Sequence, residues 1–170
     1  MKKTNIPLSL IIFLGLILTI LVTLFIILPI YLLFFLDGSP DEYKKYDKGV
    51  TIEVNNFSDQ NLPDLQFSYS GNQTDFIELG TIKSLDPGKT GKITGSSKEM
   101  KTNDISVYLH YYIEDSEQKE DSILYFYTRQ PPKAVAILNI YEVDSKGYLK
   151  YELSGYNGWS KFGPEERSEK

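Results

Sequence analysis

The chain has 170 residues, a formal net charge of -5, 41% hydrophobic residues and no cysteine. The missing thiol excludes disulfides, thiolate metal sites and a lipidated N-terminal cysteine. Lys2 and Lys3 aside, 16 basic residues face all 23 acidic ones, so the chain beyond position 36 carries -7; a negative domain repels phosphate backbones, and nucleic acid is not an expected partner.

Residues 1–5 read as a cytoplasmic leader and residues 6–36 as one transmembrane helix. From Ile6 to Leu36 there is no charged side chain, and 25 of the 31 residues are Ile, Leu, Val, Phe or Tyr. A bilayer core needs roughly 20 apolar residues as a helix. Leu8 to Leu28 spans alone, and Pro29 is expected to kink the helix beyond it. Ser9, Thr19 and Thr23 are tolerable there, because their hydroxyls can bond back to helix carbonyls. The competing reading is a cleaved signal peptide. Such peptides have a shorter apolar core and a small-residue cleavage site, whereas this run ends in Leu33-Phe34-Phe35-Leu36. The basic leader favours a cytoplasmic N-terminus. Lys44, Lys45 and Lys48 on the other side weaken that argument, so export of the domain rests on the leader and on the domain's character.

Residues 37–48 read as a charged linker. Tyr43 and Tyr46 within it suit either the headgroup level of a membrane or a solvated spacer. From Val50 the hydrophobic period changes to two. Val50, Ile52 and Val54 alternate with polar residues, as do Leu65, Phe67 and Tyr69 after a turn at Asn55–Asp59. Phe76 to Leu85 holds one strand, or two broken at Gly80. Asp86-Pro87-Gly88-Lys89 is a turn, because Pro presets φ and Gly accepts φ > 0. Lys92-Ile93-Thr94 makes a short strand. Ile105 to Glu114 is the clearest strand, with Val107, Leu109, Tyr111 and Ile113 on one face and Ser106, Tyr108, His110 and Tyr112 on the other. Ser122 to Thr128 is apolar or aromatic on both faces and predicts a central strand, which Gln130-Pro131-Pro132 stops. Ala134 to Asp144 is a long strand that turns at Asp144-Ser145-Lys146-Gly147 and pairs back through Tyr148 to Leu153. Seven or eight strands with turns every 8 to 12 residues predict an all-β fold, an antiparallel β-sandwich over residues 49–154. Residues 155–170 read as a Gly/aromatic tail, partly flexible.

Asn55-Asn56-Phe57-Ser58 after a first strand is followed by Leu65-Gln66-Phe67-Ser68-Tyr69. Gly80-Thr81-Ile82 then leads to Leu85-Asp86-Pro87-Gly88. This order resembles the opening half of small immunoglobulin-like extracellular domains, FxLYD-type domains among them, on single-pass Gram-positive membrane proteins. The resemblance implies an immunoglobulin-like sandwich at a bacterial cell surface. It implies no catalytic residues.

Several motifs fail on inspection. Gly88-Lys89-Thr90 mimics the end of a phosphate-binding loop, but Lys83 stands where that motif needs glycine and no helix follows. Lys89-Thr90-Gly91 and Ser116-Glu117-Gln118-Lys119 copy two motifs of penicillin-interacting enzymes in the wrong order. His110 is the only histidine and there is no cysteine, so no ordinary zinc site is expected. The sequence names no partner for general-base work, and a surface or edge histidine is the plainer reading. Glu114, Asp115, Glu117, Glu120 and Asp121 suit either a solvated acidic loop or weak calcium binding; their spacing is not that of an EF-hand. Asn56-Phe57-Ser58 and Asn72-Gln73-Thr74 are glycosylation sequons, relevant only in a eukaryotic secretory pathway.

The expectation is a non-enzymatic, cofactor-free, metal-free binding or interaction module, held by one transmembrane helix with the domain outside the cell membrane. Its partner is expected to be another surface or secreted protein, or cell-wall material. The alternative is an immunity-type or accessory membrane subunit whose helix is the working part. Candidate contact residues are Tyr108, His110 and Tyr112 on one strand face, and Tyr156, Trp159 and Phe162 in the tail, where packing against a sheet edge competes with contact.

Overall fold

The computed structural model describes residues 7–35, 39–71, 76–96, 104–113, 117–126 and 133–168. The chain divides into two units, Met1–Gly38 and Ser39–Lys170. The first unit is helical. Helix α1 spans Leu8–Val22 and α2 spans Leu28–Phe35, joined without a break by a π-helical turn at Thr23–Ile27. Pro29 explains that turn. It has no N–H, and its ring crowds the carbonyl four residues back, at Phe25. The wider turn, in which the Leu28 N–H reaches the Thr23 carbonyl, makes room for the ring while the helix continues. The Thr19 hydroxyl donates to the Gly15 carbonyl and the Thr23 hydroxyl to the Thr19 carbonyl, each at 2.9 Å. Leu8–Tyr31 is a 24-residue helix that is long and apolar enough to cross a membrane. At 1.5 Å per residue it measures about 36 Å, against about 30 Å of hydrocarbon.

The second unit is a sandwich of nine described strands. They are β1 Gly49–Asn56, β2 Leu65–Gly71, β3 Ile77–Ile82, β4 Thr90–Gly95, β5 Ile105–Tyr112, β6 Gln118–Phe126, β7 Lys133–Val143, β8 Leu149–Tyr156 and β9 Lys161–Ser168. One sheet runs β4-β1-β7-β8-β9 and the other β3-β2-β5-β6. The alternation read from the sequence supplies the core between them. Val50, Ile52, Val54, Leu138, Ile140 and Leu153 come from the first sheet, and Leu65, Phe67, Val107, Leu109 and Leu124 from the second. Each such side chain, fully buried, contributes about 1.5–3 kcal/mol of transfer free energy.

Five details differ from the sequence expectation. The described residues form nine strands rather than seven or eight. The sheets are not wholly antiparallel, because β1 runs parallel to β7, from Gly49 opposite Lys133 to Asn56 opposite Ile140. Strand β6 lies at a sheet edge, not the centre. The register slips between Val107 opposite Leu124 and Tyr108 opposite Ser122, leaving Ile123 as an extra residue. That bulge turns both Ile123 and Leu124 into the core, so a run apolar on both faces arises without a central position. The part of the tail from Lys161 to Ser168 is a strand paired with β8. The fifth detail is the linker: the β unit begins at Ser39, and Tyr43 and Tyr46 are buried with Val135 and Tyr156. Tyr43 stacks on Tyr156 at 5.6 Å between ring centres. Lys133 donates to the Tyr43 carbonyl at 3.1 Å and the Ser39 hydroxyl at 3.4 Å. Neither the headgroup nor the spacer reading suits tyrosines packed in this way.

Strand β3 is a single strand. Phe67 opposes Gly80 and the next residue, Ser68, opposes Glu78, so Leu79 is bulged out and Gly80 takes φ +146°. The predicted turns at Gly88 and Gly147 form, with φ of +72° and +92°. In the first, the Lys89 N–H donates to the Asp86 carbonyl at 3.1 Å, a β-turn rather than a phosphate loop.

Candidate functional site

The outer face of the four-stranded sheet is read from its register. Leu65, Phe67 and Tyr69 on β2 and Val107, Leu109 and Tyr111 on β5 face the core, so Gln66, Ser68, Tyr108, His110 and Tyr112 face outward. His110 lies directly opposite Gln66 on β2 and Glu120 on β6, and Ser68 lies opposite Tyr108. Four outward residues from three strands thus meet around one imidazole.

The contacts are specific. Ser68 Oγ lies 2.6 Å from His110 Nε2. His110 Nδ1 lies 3.6 Å from Glu120 Oε2. The Phe76 ring stands edge-on to both Tyr108 and His110, at 5.1 and 5.4 Å between ring centres. Ser68 and His110 are only 7% and 8% exposed despite facing outward, while Phe76 is 53% exposed. His110 is therefore neither a surface nor an edge histidine. It is a covered side chain on an interior strand, with a hydroxyl on one ring nitrogen and a carboxylate on the other. A cleft of about 310 Å³ opens beside it, lined by Gln66, Ser68, Phe76, Glu78, Gln118 and Glu120 together with the imidazole.

The six sequence candidates divide. Tyr108 and His110 meet at this cleft. Tyr112 shares their face at the end of β5 and is half exposed. Tyr156 is buried under Tyr43 on the other sheet, and its hydroxyl donates to the Gly158 carbonyl at 2.9 Å. Phe162 packs against the core edge. Trp159, in the turn between β8 and β9, is 80% exposed. The tail aromatics therefore form no common surface. Sequence reading missed Ser68, Glu120, Phe76, Gln66 and Gln118. The two-residue alternation of Leu65, Phe67 and Tyr69 did put Ser68 on an outward face, but Glu120 read as part of an acidic loop, and the pairing of β2, β5 and β6 was needed to bring both to His110.

The acidic loop also divides. Glu117 pairs with Lys119 at 2.8 Å and Glu120 with His110. Asp121 accepts from the Tyr151 hydroxyl and from Arg167 at 3.0 Å. These carboxylates serve different partners, and among the described residues no cluster suits a metal ion. Glu114 and Asp115 lie outside the described residues, as does the sequon at Asn72. Asn56, of the other sequon, is buried and donates to the carbonyls of Gln60 and Leu85, both at 2.8 Å. It fastens two loops instead of offering an amide to solvent.

No protein-family model matches this chain, and no curated protein matches it. The class defined by fold and site is a β-sandwich with an apolar helix before it and a small polar-aromatic cleft on one sheet.

Proposed function

We propose that the protein is a membrane-anchored, extracytoplasmic binding module of immunoglobulin-like type, and that its ligand-facing surface is the outer face of the four-stranded sheet around His110. One observation carries this reading: a 24-residue apolar helix, exposed along its described side chains, precedes a β unit with a core of its own. A helix apolar all round that is not buried in protein belongs in lipid. Two face-to-face sheets of four and five strands support the immunoglobulin-like part. The cleft supports the contact surface, since a concave site with an aromatic wall and a few convergent polar groups is the usual form of a ligand site. Another surface or secreted protein, or cell-wall material, fits a domain of net charge -7 better than nucleic acid does. Pro29 accounts for the π turn, so that turn lends no separate support to a working helix.

Protease shaving of intact cells tests the orientation. Residues 39–170 are expected to be digested in intact cells while a helix-sized fragment stays with the membrane. Digestion only after lysis would overturn the export of the domain, and recovery of the whole chain in the soluble fraction would overturn the anchor.

A further inference from the structure

We propose that Ser68 is a nucleophile, activated by His110, that takes the acyl group of a small carboxylic ester bound in the outer-face cleft. Nucleophilic catalysis by a hydroxyl needs three things: a base within hydrogen-bond reach, a group that orients the base, and space for substrate beside the nucleophile. All three are present. Ser68 Oγ is 2.6 Å from His110 Nε2. Glu120 faces the other nitrogen at 3.6 Å, the separation of a looser resting contact. The cleft of about 310 Å³ opens onto Ser68. The order of atoms matters: hydroxyl to Nε2 and carboxylate to Nδ1 is the arrangement in which the imidazole keeps its Nδ1 proton toward the acid and receives the serine proton on Nε2. The bulge opposite Phe67 and Ser68 lies on β3, where Leu79 is the extra residue and Glu78 is brought opposite Ser68 at the rim of the cleft.

The step balances without any further reagent. A lone pair of Ser68 Oγ forms a bond to the ester carbonyl carbon, and the hydroxyl proton passes to His110 Nε2. The tetrahedral carbon then expels its alkoxy group, which leaves as the alcohol with the proton from Nε2. Water next attacks the acyl-serine and gives a proton to Nε2. The Ser68–acyl bond breaks, the carboxylic acid departs, and the proton returns to Ser68 Oγ. Gln66 and Gln118 line the cleft and carry amide groups able to donate to a carbonyl oxygen that gains charge. Glu120 is a positioning residue: it acts through the imidazole. Glu78 and Glu120 make the cleft acidic, so the acyl donor is neutral or cationic, and the Phe76 ring gives its apolar part a wall.

The test uses the full chain in detergent micelles and a fluorophosphonate probe, with peptide mapping by mass spectrometry. The expected result is one adduct, on Ser68, lost when the protein is heat-unfolded and absent in Ser68→Ala. His110→Gln is expected to slow labelling about 100-fold, the low end of what general-base help supplies. Glu120→Gln is expected to slow it about 10-fold with the half-saturating probe concentration unchanged, which a merely structural carboxylate would not produce. Failure of the folded wild-type chain to label at Ser68 would overturn the proposal even if the variants did not fold. Equal labelling of folded His110→Gln would also overturn it, leaving a serine that only satisfies a covered imidazole. Because labelling in micelles is independent of orientation and of any partner, a negative result leaves the membrane-anchored binding module standing.

Discussion

Tyr151 shows how one polar side chain ties the two sheets. It stands on β8, and its hydroxyl donates to Asp121 on β6 of the other sheet. Arg167 on β9 donates to the same carboxylate at 3.0 Å. Burial, and then the hydrogen bond and charge of Asp121, hold the Tyr151 hydroxyl well above the ordinary tyrosine value of 10.0; Arg167 opposes them. Burial followed by Glu53 pushes Tyr46 the same way. A proton bound more tightly in the folded state gives stability that is complete below the unfolded value and falls as pH rises from there toward the folded one. Alkaline loss of stability is therefore expected to begin above about pH 10, with a slope of up to about 1.4 kcal/mol per pH unit for each such tyrosine. Urea midpoints measured from pH 7 to 11.5 should show the fall, and Tyr151→Phe should flatten it; an unchanged slope would refute the assignment. None of this was visible in the sequence. Tyr151 sits in an alternating strand like any core residue, and Asp121 looks like one more charge in an acidic loop. His110 was legible only as a lone outward histidine, because its partners are 42 and 10 positions away and become neighbours through strand pairing.

At the scale of elements, the strands with strict alternation were readable, and two pieces were misread, each for its own reason. Strand β6 read as a central strand from Ser122, because a bulge that breaks the period of two makes its apolar run look two-faced, and its polar start at Gln118 read as loop. Strand β9, Lys-Phe-Gly-Pro-Glu-Glu-Arg-Ser, has one apolar residue, because an edge strand with little inward surface needs no more. The tail read as partly flexible, but two of its glycines, Gly155 and Gly163, answer close approaches. A Cβ on Gly155 would run into the Val135 carbonyl oxygen and lie 2.6 Å from the Phe162 ring, and one on Gly163, at φ +72°, would strike the Leu153 carbonyl oxygen. Gly155→Ala is thus expected to cost about 2–3 kcal/mol by overpacking between β7, β8 and β9. A guanidinium titration of the β unit reads this as a lower midpoint, and an unaltered midpoint would mean that β9 is not seated against β8 as described.

At the scale of the whole molecule, hydrophobic surface is distributed unequally between the two units. Along Leu8–Tyr31 nearly every large apolar side chain described is exposed. In the β unit the described exposed ones are Phe57, Phe76, Ile77, Tyr112, Tyr125, Tyr141 and Trp159, and only Phe57 and Tyr141 stack on each other. Residues 39–170 produced alone are therefore expected to stay in the aqueous phase of a detergent phase separation and to unfold cooperatively, while the full chain partitions with detergent. Aqueous partitioning of the full chain would contradict the membrane reading. This division was the most legible feature of the sequence, because a charge-free run of 31 residues and a period of two need no long-range pairing to be recognised. The point at which the β unit begins was not legible, since the burial of Tyr43 and Tyr46 depends on Val135 and Tyr156, about ninety and more positions later.

Under the proposed membrane anchoring, the charged edge strand has a consequence for copies of the protein confined to one surface. Molecules restricted to a plane meet far more often than the same number in a volume, and an open sheet edge is a template on which a neighbour's strand can grow. In β9 the edge carries Glu165, Glu166 and Arg167, and its Pro164 has no N–H to offer a neighbour. The composition that makes β9 look like a frayed end also guards that edge against self-templating, so the strand hardest to see in the sequence limits crowding-driven aggregation there.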